Sequence, residues 1–315
     1  MRALVIGGTG FIGAAACKEL MRRGVETVAA GRTDHSYGTF TSHRVVDRTD
    51  EGRLRDVLRQ VRPDVLLDLA CYQPSELEAA LRSFEGRRYV FVSTGVYPDR
   101  EDGRPAREDD FVPLAGSPPP EPLEYGEGKR WCETLLARHA GMAGVVIRPP
   151  AVFGADDRTL RIAAYLQRVE DGGPVLVPAE TWERQAGLAW VRDVGYACAL
   201  ACDLDRRVGG PYNVAFDGLS LRGLLEMAAK AMGRPARMVP VPFAELPADA
   251  SPYGPDPRRP AGYDLTRSGR ELGFEPSAPE DALAETLAWY RVRRPSHPGY
   301  AARAAELELA ARYEG

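Results

Sequence analysis

The run Gly7-Gly8-Thr9-Gly10-Phe11-Ile12-Gly13 lies directly after the apolar stretch "ALVI" and directly before "AAACKELMRRG". In a strand-to-helix turn, glycines at this spacing have separate tasks. They allow the tight turn itself, close approach of backbone to a pyrophosphate, and close packing of helix on strand, with the phosphates facing the helix amino terminus. A glycine triplet alone is a weak signal. Here a strand, a helix and a second strand, "ETVAA" at 26–30, fall within about thirty residues, which is the context the motif requires. The pattern predicts a dinucleotide site contacted by Gly7, Thr9, Gly10, Phe11, Ile12 and Gly13; the alternative is a tight turn with a purely structural duty.

The rest of the first half keeps the same rhythm. "HRVVD" (43–47), "DVLLDLA" (64–70), "YVFVS" (89–93) and "GVVIRP" (144–149) are short apolar runs, suited to strands buried on both faces and joined by right-handed helical crossovers. One of the intervening helices shows a capping box, Ser75 with Glu78, ahead of "LEAALRSF". The class is α/β with a mostly parallel sheet. Two loops interrupt the pattern, a charged and proline-rich stretch at 98–122 and another at 246–262, each readable as a lid over a site or as a solvated insertion. The carboxyl end, "AARAAELELAARYEG", reads as a short helix that packs on the domain or on a partner subunit.

Composition narrows the function classes. A net charge of −4 favours neither nucleic acid nor an anionic membrane as a general partner. The amino terminus lacks a secretory cleavage pattern, and no stretch is long and apolar enough to span a bilayer. The five cysteines show no CxxC or metal-finger spacing and the four histidines are scattered, so no metal and a reducing cytoplasm are expected. Cys198 and Cys202, four apart, read as buried helical cysteines.

The end of the second strand bears on which dinucleotide is bound. NAD enzymes of this architecture carry Asp or Glu there for the ribose 2′-hydroxyl, whereas an Arg receives the 2′-phosphate of NADP. This chain reads Ala30-Gly31-Arg32-Thr33-Asp34, with no acid at the strand end and Arg32 placed to make forked bonds to a phosphate. NADP is the expected cofactor. The other reading has Arg32 at the surface, Asp34 reaching back to the ribose, and NAD bound.

Further on stand "FVSTGVYP" (91–98), "YGEGK" (125–129) and "IRPPAVFG" (147–154). Tyr125 and Lys129 share a face if the segment is helical, although Gly126 and Gly128 weaken a helix by up to about 1 kcal/mol each relative to Ala. Taken alone, the pair reads as an ordinary helix surface, and the two glycines leave a loop open as well. The order GGTGFIG, STGVY, YxxxK, with "AWVRDVGYACALA", "YNVAFDGLSLRGLLEMAAKAMG" and "YDLTRSGRELGFEPSAPEDALAETLAWYR" behind it, resembles the extended short-chain dehydrogenase/reductase superfamily, in its NAD(P)-dependent epimerase/dehydratase branch, over roughly residues 1 to 293.

The resemblance implies a Rossmann doubly wound parallel sheet with a smaller, discontinuous substrate-binding α/β domain. The NAD(P)-binding part would span 1–150, with returns near 186–216 and 263–293, and 151–315 would be mainly substrate-binding. Carried over by position, Tyr125 is the acid/base, Lys129 its partner and Ser93 the hydrogen-bonding hydroxyl. Asp47 contacts the adenine, Ala70 lines the cofactor, and Pro150 and Val152 sit near the nicotinamide. The chemistry agrees with these roles. Hydride transfer to or from a carbon bearing oxygen requires a proton to move on that oxygen, and a phenol with a pKa near 10 needs positive charge nearby to act at neutral pH.

Several positions depart from the family pattern. Thr94-Gly95 stand where dehydratases of this branch have Asp-Glu, which argues against sugar 4,6-dehydration and leaves Thr94 as an alternative active hydroxyl. Ala186, with Arg184 offset by two, stands where nucleotide-sugar members have an Arg, which places a nucleotide-linked substrate in doubt. Arg158 and Arg161 read as an anion site or as a solvated helix face. The leading expectation is an NADPH-dependent reductase or dehydrogenase acting on a sugar-like or secondary-metabolite substrate. The alternatives are an epimerase that retains its cofactor and, in another class, a non-catalytic nucleotide sensor or RNA-associated protein. A homodimer is implied by the family alone.

Overall fold

The computed structural model describes residues 1–33, 38–95, 97, 103–247 and 262–314. Strands β1 (Arg2–Ile6), β2 (Glu26–Gly31), β3 (Ser42–Val45), β4 (Val65–Asp68), β5 (Arg88–Val92) and β6 (Ala143–Arg148) fall on the apolar runs seen in the sequence. With β10 (Gly210–Asn213) they form one seven-stranded sheet in the order β10-β6-β5-β4-β1-β2-β3, every pairing parallel. Every residue of β4 and β5 is buried, as expected of strands covered on both faces. The fold is α/β and Rossmann-like. Outside the main sheet lie two two-stranded sheets, β7 (Ala151–Phe153) with β9 (Leu188–Trp190) and β8 (Val175–Pro178) with β11 (Met238–Val241).

One face of the sheet is covered by α1 (Phe11–Arg22) and α6 (Val191–Cys202). These two helices approach so closely that a Cβ on Gly195 would lie 2.7 Å from the Ala15 carbonyl carbon. Cys17, Cys198 and Cys202 are buried there as free thiols, in keeping with core cysteines. The other face carries α2 (Glu51–Val61), α3 (Pro74–Ser83) and α4 (Tyr125–Arg138). Beyond them come α5 (Arg161–Glu170), α7 (Leu221–Met232), α8 (Pro279–Arg293) and α9 (Arg303–Tyr313). The last of these packs on the molecule itself, against β8 and β11. Its Glu306 takes a buried ion pair from Arg168 at 2.5 Å.

The expected capping box at Ser75 and Glu78 is displaced by two residues. Pro74 occupies the first helical position of α3, where its fixed φ and missing N–H suit it, so Gln73 becomes the N-cap. Glu76 accepts the Gln73 N–H at 3.1 Å, while Ser75 bonds Glu121 through its N–H and hydroxyl at 2.7 and 2.5 Å.

The described part of the first long loop is strapped down. Ala106 donates to the Gly262 carbonyl at 3.0 Å and accepts from Asp264 N–H at 2.9 Å, which joins the two long loops through a single bridge. Glu108, buried, accepts the Asn213 N–H at 2.8 Å, and Arg148 donates to the Glu108 carbonyl at 2.9 Å while pairing with Glu133 at 2.5 Å. Asp34, residues 98–102 and most of the second long loop lie outside the described residues.

Candidate active site

In a wholly parallel sheet every strand ends on the same edge, and the ends of β1 to β6 bring the expected site residues to that edge. Chain order reverses between β1 and β4, the crevice where open α/β sheets take ligands. The glycine turn opens there. Gly7 has φ +81°, and a Cβ on it would lie 3.4 Å from Leu69 Cβ and 3.5 Å from Ala70 Cβ. A Cβ on Gly13 would come within 2.0 Å of the Gly7 carbonyl oxygen. The α1 N-cap is Gly10 with no side-chain cap, and the first turn has no acidic residue. The first amides of a helix lack intrahelical partners, so this turn offers donors and positive dipole to a phosphate. The residues present fit a dinucleotide diphosphate.

Arg32 is exposed just past β2, and its charge together with two Thr49 hydrogen bonds holds the Asp47 carboxyl below its ordinary range, the backbone bond from Thr49 most strongly. The Gly31 position is tight for a reason of its own, since a Cβ there would lie 3.1 Å from the Thr9 hydroxyl. Ala70 follows β4, where its N–H donates to Asp68 at 3.0 Å. Asp68, fully buried, also takes Arg48 at 2.5 Å and the Tyr89 hydroxyl at 2.6 Å. Pro150 and Val152 lie just beyond β6.

Ser93 follows β5. Its N–H donates to the Ile147 carbonyl at 2.8 Å, but its hydroxyl, on a side chain only 5% exposed, finds no partner among the described residues. Buried polar atoms are seldom left unpaired, so this hydroxyl fits a ligand oxygen. Tyr125 is the first residue of α4 and 53% exposed. Packing on one side raises the phenol's pKa, while the polar side chain of Thr94 and the charge of Arg161 act against that rise.

Lys129, one turn on, is 2% exposed, and burial lowers its pKa. Its Nζ donates to the Val92 carbonyl at 2.9 Å and lies 4.6, 4.8 and 5.9 Å from the ring centroids of Tyr72, Phe91 and Tyr125. The helix reading of YGEGK holds, with both side chains on one face. Gly128 has a clear purpose, because a Cβ there would lie 2.2 Å from the Tyr72 carbonyl oxygen.

The entry into α4 depends on residues that sequence reasoning passed over. Gln73 binds both backbone groups of Leu123, its Oε1 accepting the N–H at 2.9 Å and its Nε2 donating to the carbonyl at 3.0 Å. Tyr263 donates to the Gly95 carbonyl at 3.0 Å, while Gly95 N–H donates to the Pro149 carbonyl at 2.8 Å, so Gly95 is held through both of its backbone groups. A Cβ on Gly95 would meet the Tyr263 hydroxyl at 2.5 Å. Ala186 packs against the main core. Among the described residues no helix is long and apolar enough to cross a membrane, and no cluster of ligands could hold a metal ion.

Comparison with known proteins bears on family and fold. The family model described as the NAD dependent epimerase/dehydratase family matches residues 3–80 and 74–215. A curated relative, the 2′-dehydrokanamycin reductase of Streptomyces kanamyceticus, is 27% identical over 252 residues, covering 77% of this chain and 70% of that protein. Among solved structures, UDP-glucose 4-epimerase of Thermotoga maritima, determined with UDP-glucose, superposes with a TM-score of 0.72 at 20% identity over 94% of this chain and 100% of that one. The Thermus thermophilus UDP-glucose 4-epimerase, determined with NAD, gives 0.70 at 23% identity over 93% and 100%. At these identities the two structures speak to the fold alone.

Proposed function

Because this chain belongs to the NAD dependent epimerase/dehydratase family, we propose that it is an NADPH-dependent reductase of a carbonyl on a small, sugar-like molecule, working through Tyr125, Ser93 and Lys129. The observation that carries this reading is the meeting of α4 with the end of β5, where Lys129 donates to the Val92 carbonyl at 2.9 Å, next to the unpartnered hydroxyl of Ser93, and the open phenol of Tyr125 begins the same helix one turn earlier.

A bound nicotinamide dinucleotide would supply the hydride. The turn from Gly7 to Gly13, with Thr9, Gly10, Phe11 and Ile12, would hold its diphosphate, Asp47 its adenine, and Ala70, Pro150 and Val152 its nicotinamide half. Arg32 would take the 2′-phosphate of NADP, since the end of β2 offers no acid for a bare ribose. At the reacting centre Tyr125 gives its proton to the carbonyl oxygen, and Ser93 donates a hydrogen bond to that same oxygen as it gains charge. Lys129 fixes the Val92 carbonyl at the root of the Ser93-Thr94 segment.

The curated relative is named for reducing 2′-dehydrokanamycin, which supports net reduction and a sugar-like carbonyl. Ala186, in place of an Arg, supports a substrate without a nucleotide. The Tyr125→Phe variant is expected to keep its NADPH dissociation constant and to lose most turnover, about a hundredfold or more. NADPH consumption on a panel of sugar-like ketones measures the loss, and near wild-type rates would refute the role. The family description also covers epimerases. Cofactor retained through gel filtration, with turnover that needs no added NADPH, would replace the reductase reading with that one.

A further inference from the structure

Past the end of β5 the chain keeps its place beside β6 but loses half of the bonds that pairing normally brings. Val92 stands opposite Ile147, and the same register sets Ser93 against Arg148 and Gly95 against Pro150. In a parallel ladder every second residue donates to the residue before its partner and accepts from the residue after it. The donating half persists, from Ser93 N–H to the Ile147 carbonyl and from Gly95 N–H to the Pro149 carbonyl, both at 2.8 Å. The accepting half is missing. Pro149 has no N–H for the Ser93 carbonyl. Ala151, the donor due to Gly95, gives its N–H to the Gly187 carbonyl at 3.2 Å, because β7 turns away to pair with β9.

The hydroxyl of Tyr263 fills the second of these gaps, donating to the Gly95 carbonyl at 3.0 Å. Two glycines make room for it. A Cβ on Gly95 would meet the hydroxyl at 2.5 Å, and one on Gly187 would lie 3.1 Å from the ring and 3.3 Å from Pro150 Cβ. The side chain is buried, with the Tyr97 ring 5.8 Å away between centroids, and its backbone pairs with Ala106 in the bridge between the two long loops. A phenol so enclosed acts on a reaction through the segment it holds.

We propose that Tyr263 is a positioning residue for the reacting centre, its hydroxyl standing in for the missing ladder donor at Gly95 and so keeping Ser93 in register beyond the end of β5. The proposal rests on Ser93 as the hydroxyl that bonds the substrate oxygen. That hydroxyl has no partner among the described residues to fix it, so the backbone on either side sets its place. On one side the Val92 carbonyl takes Lys129 Nζ at 2.9 Å, and on the other the Gly95 carbonyl takes Tyr263 at 3.0 Å. One tie comes from α4, the other from the carboxyl-terminal half of the chain. A misplacement of about 1 Å at a reacting group lowers a rate by up to about a hundredfold, and the loss of one tie of two falls short of that.

Tyr263→Phe removes the donor and keeps the ring that packs beside Gly187. In hydrogen exchange followed residue by residue by NMR, the Gly95 amide of this variant is expected to exchange about five- to tenfold faster than in the wild type, while the amides of β5 keep their rates. Unchanged exchange at Gly95 overturns the proposal. An equal rise throughout β5 also overturns it, because that pattern reports a general loss of stability. With a sugar-like ketone as substrate, the variant is expected to lose about tenfold in kcat, with KM and the NADPH dissociation constant within about twofold. Full kcat beside quickened exchange makes Tyr263 a structural residue only and overturns the proposal. Ser93→Ala separates this failure from failure of the proposed site. Full turnover in that variant sinks the role of Ser93 and the premise of the proposal with it, a result read with Tyr263 untouched.

Discussion

Two helix starts in this molecule carry glycines at the site, α1 at Gly10-Phe11-Ile12-Gly13 and α4 at Tyr125-Gly126-Glu127-Gly128, and their glycines answer to different neighbours. At α1 the constraint is local. The absent side chain of Gly13 leaves room for the carbonyl of Gly7, six residues earlier in the same turn. At α4 the constraint is remote, because the absent side chain of Gly128 leaves room for the carbonyl of Tyr72, in the turn before α3. The first arrangement shapes the turn proposed to hold the dinucleotide. The second seats the start of one helix against the entry to another, bringing Tyr72, Tyr125 and Lys129 into one group.

The sharpest way to break the comparison is Gly13→Ala. A Cβ 2.0 Å from a backbone oxygen has no rotamer to escape into, so the turn itself must open. Overpacking costs typically about 1–3 kcal/mol and occasionally more, and this contact belongs at the upper end. NADPH binding by isothermal titration is expected to be lost in a protein that still shows its α/β circular dichroism. Unchanged binding would mean that the turn does not shape the site.

Gly128→Ala comes next and separates two opposing effects. Alanine favours a helix over glycine by up to about 1 kcal/mol, whereas a Cβ 2.2 Å from the Tyr72 oxygen costs about 1–3 kcal/mol. The close approach should win. The expected result is a net loss of about 1–2 kcal/mol in urea unfolding, with turnover falling and the NADPH dissociation constant nearly unchanged. A more stable protein would show that α4 is free to shift and that the contact with Tyr72 is incidental.

This difference also explains what could be read in the sequence. The strands of the main sheet were legible because burial on both faces writes itself as continuous apolar runs, and the edge of the site followed because β1 to β6 end where those runs end. The glycine turn was legible because its constraint lies within seven residues. Gly128 was not, since nothing near it in sequence names Tyr72 as its neighbour. The capping box failed for a related reason. Ser75 with Glu78 and Gln73 with Glu76 have the same spacing, and Pro74 together with the distant Glu121 decides between them. Arg161 was readable as an anion site or as a solvated helix face, because the engagement of Asp157 with the Thr159 hydroxyl and with backbone N–H groups is a matter of geometry.

The smallest effect tests the remote side of the comparison most finely. Gln73 holds Leu123 through two hydrogen bonds, one at 2.9 Å and one at 3.0 Å, two residues before the phenol that begins α4. Each such bond contributes about 1 kcal/mol net, and the Leu123 groups are not wholly shut off from water, so Gln73→Ala should cost about 1–2 kcal/mol. Gln73→Glu refines the experiment, because a carboxylate still accepts the Leu123 N–H but has no hydrogen to give the Leu123 carbonyl. It should fall between wild type and alanine in stability. If α4 owes its placement to this remote contact, both variants lower kcat while the NADPH dissociation constant stays within about twofold, a difference of roughly 0.4 kcal/mol. Should cofactor binding weaken in step with kcat, the two helix starts are coupled through the sheet, and the distinction between a locally shaped turn and a remotely seated helix carrying the proposed acid/base does not hold.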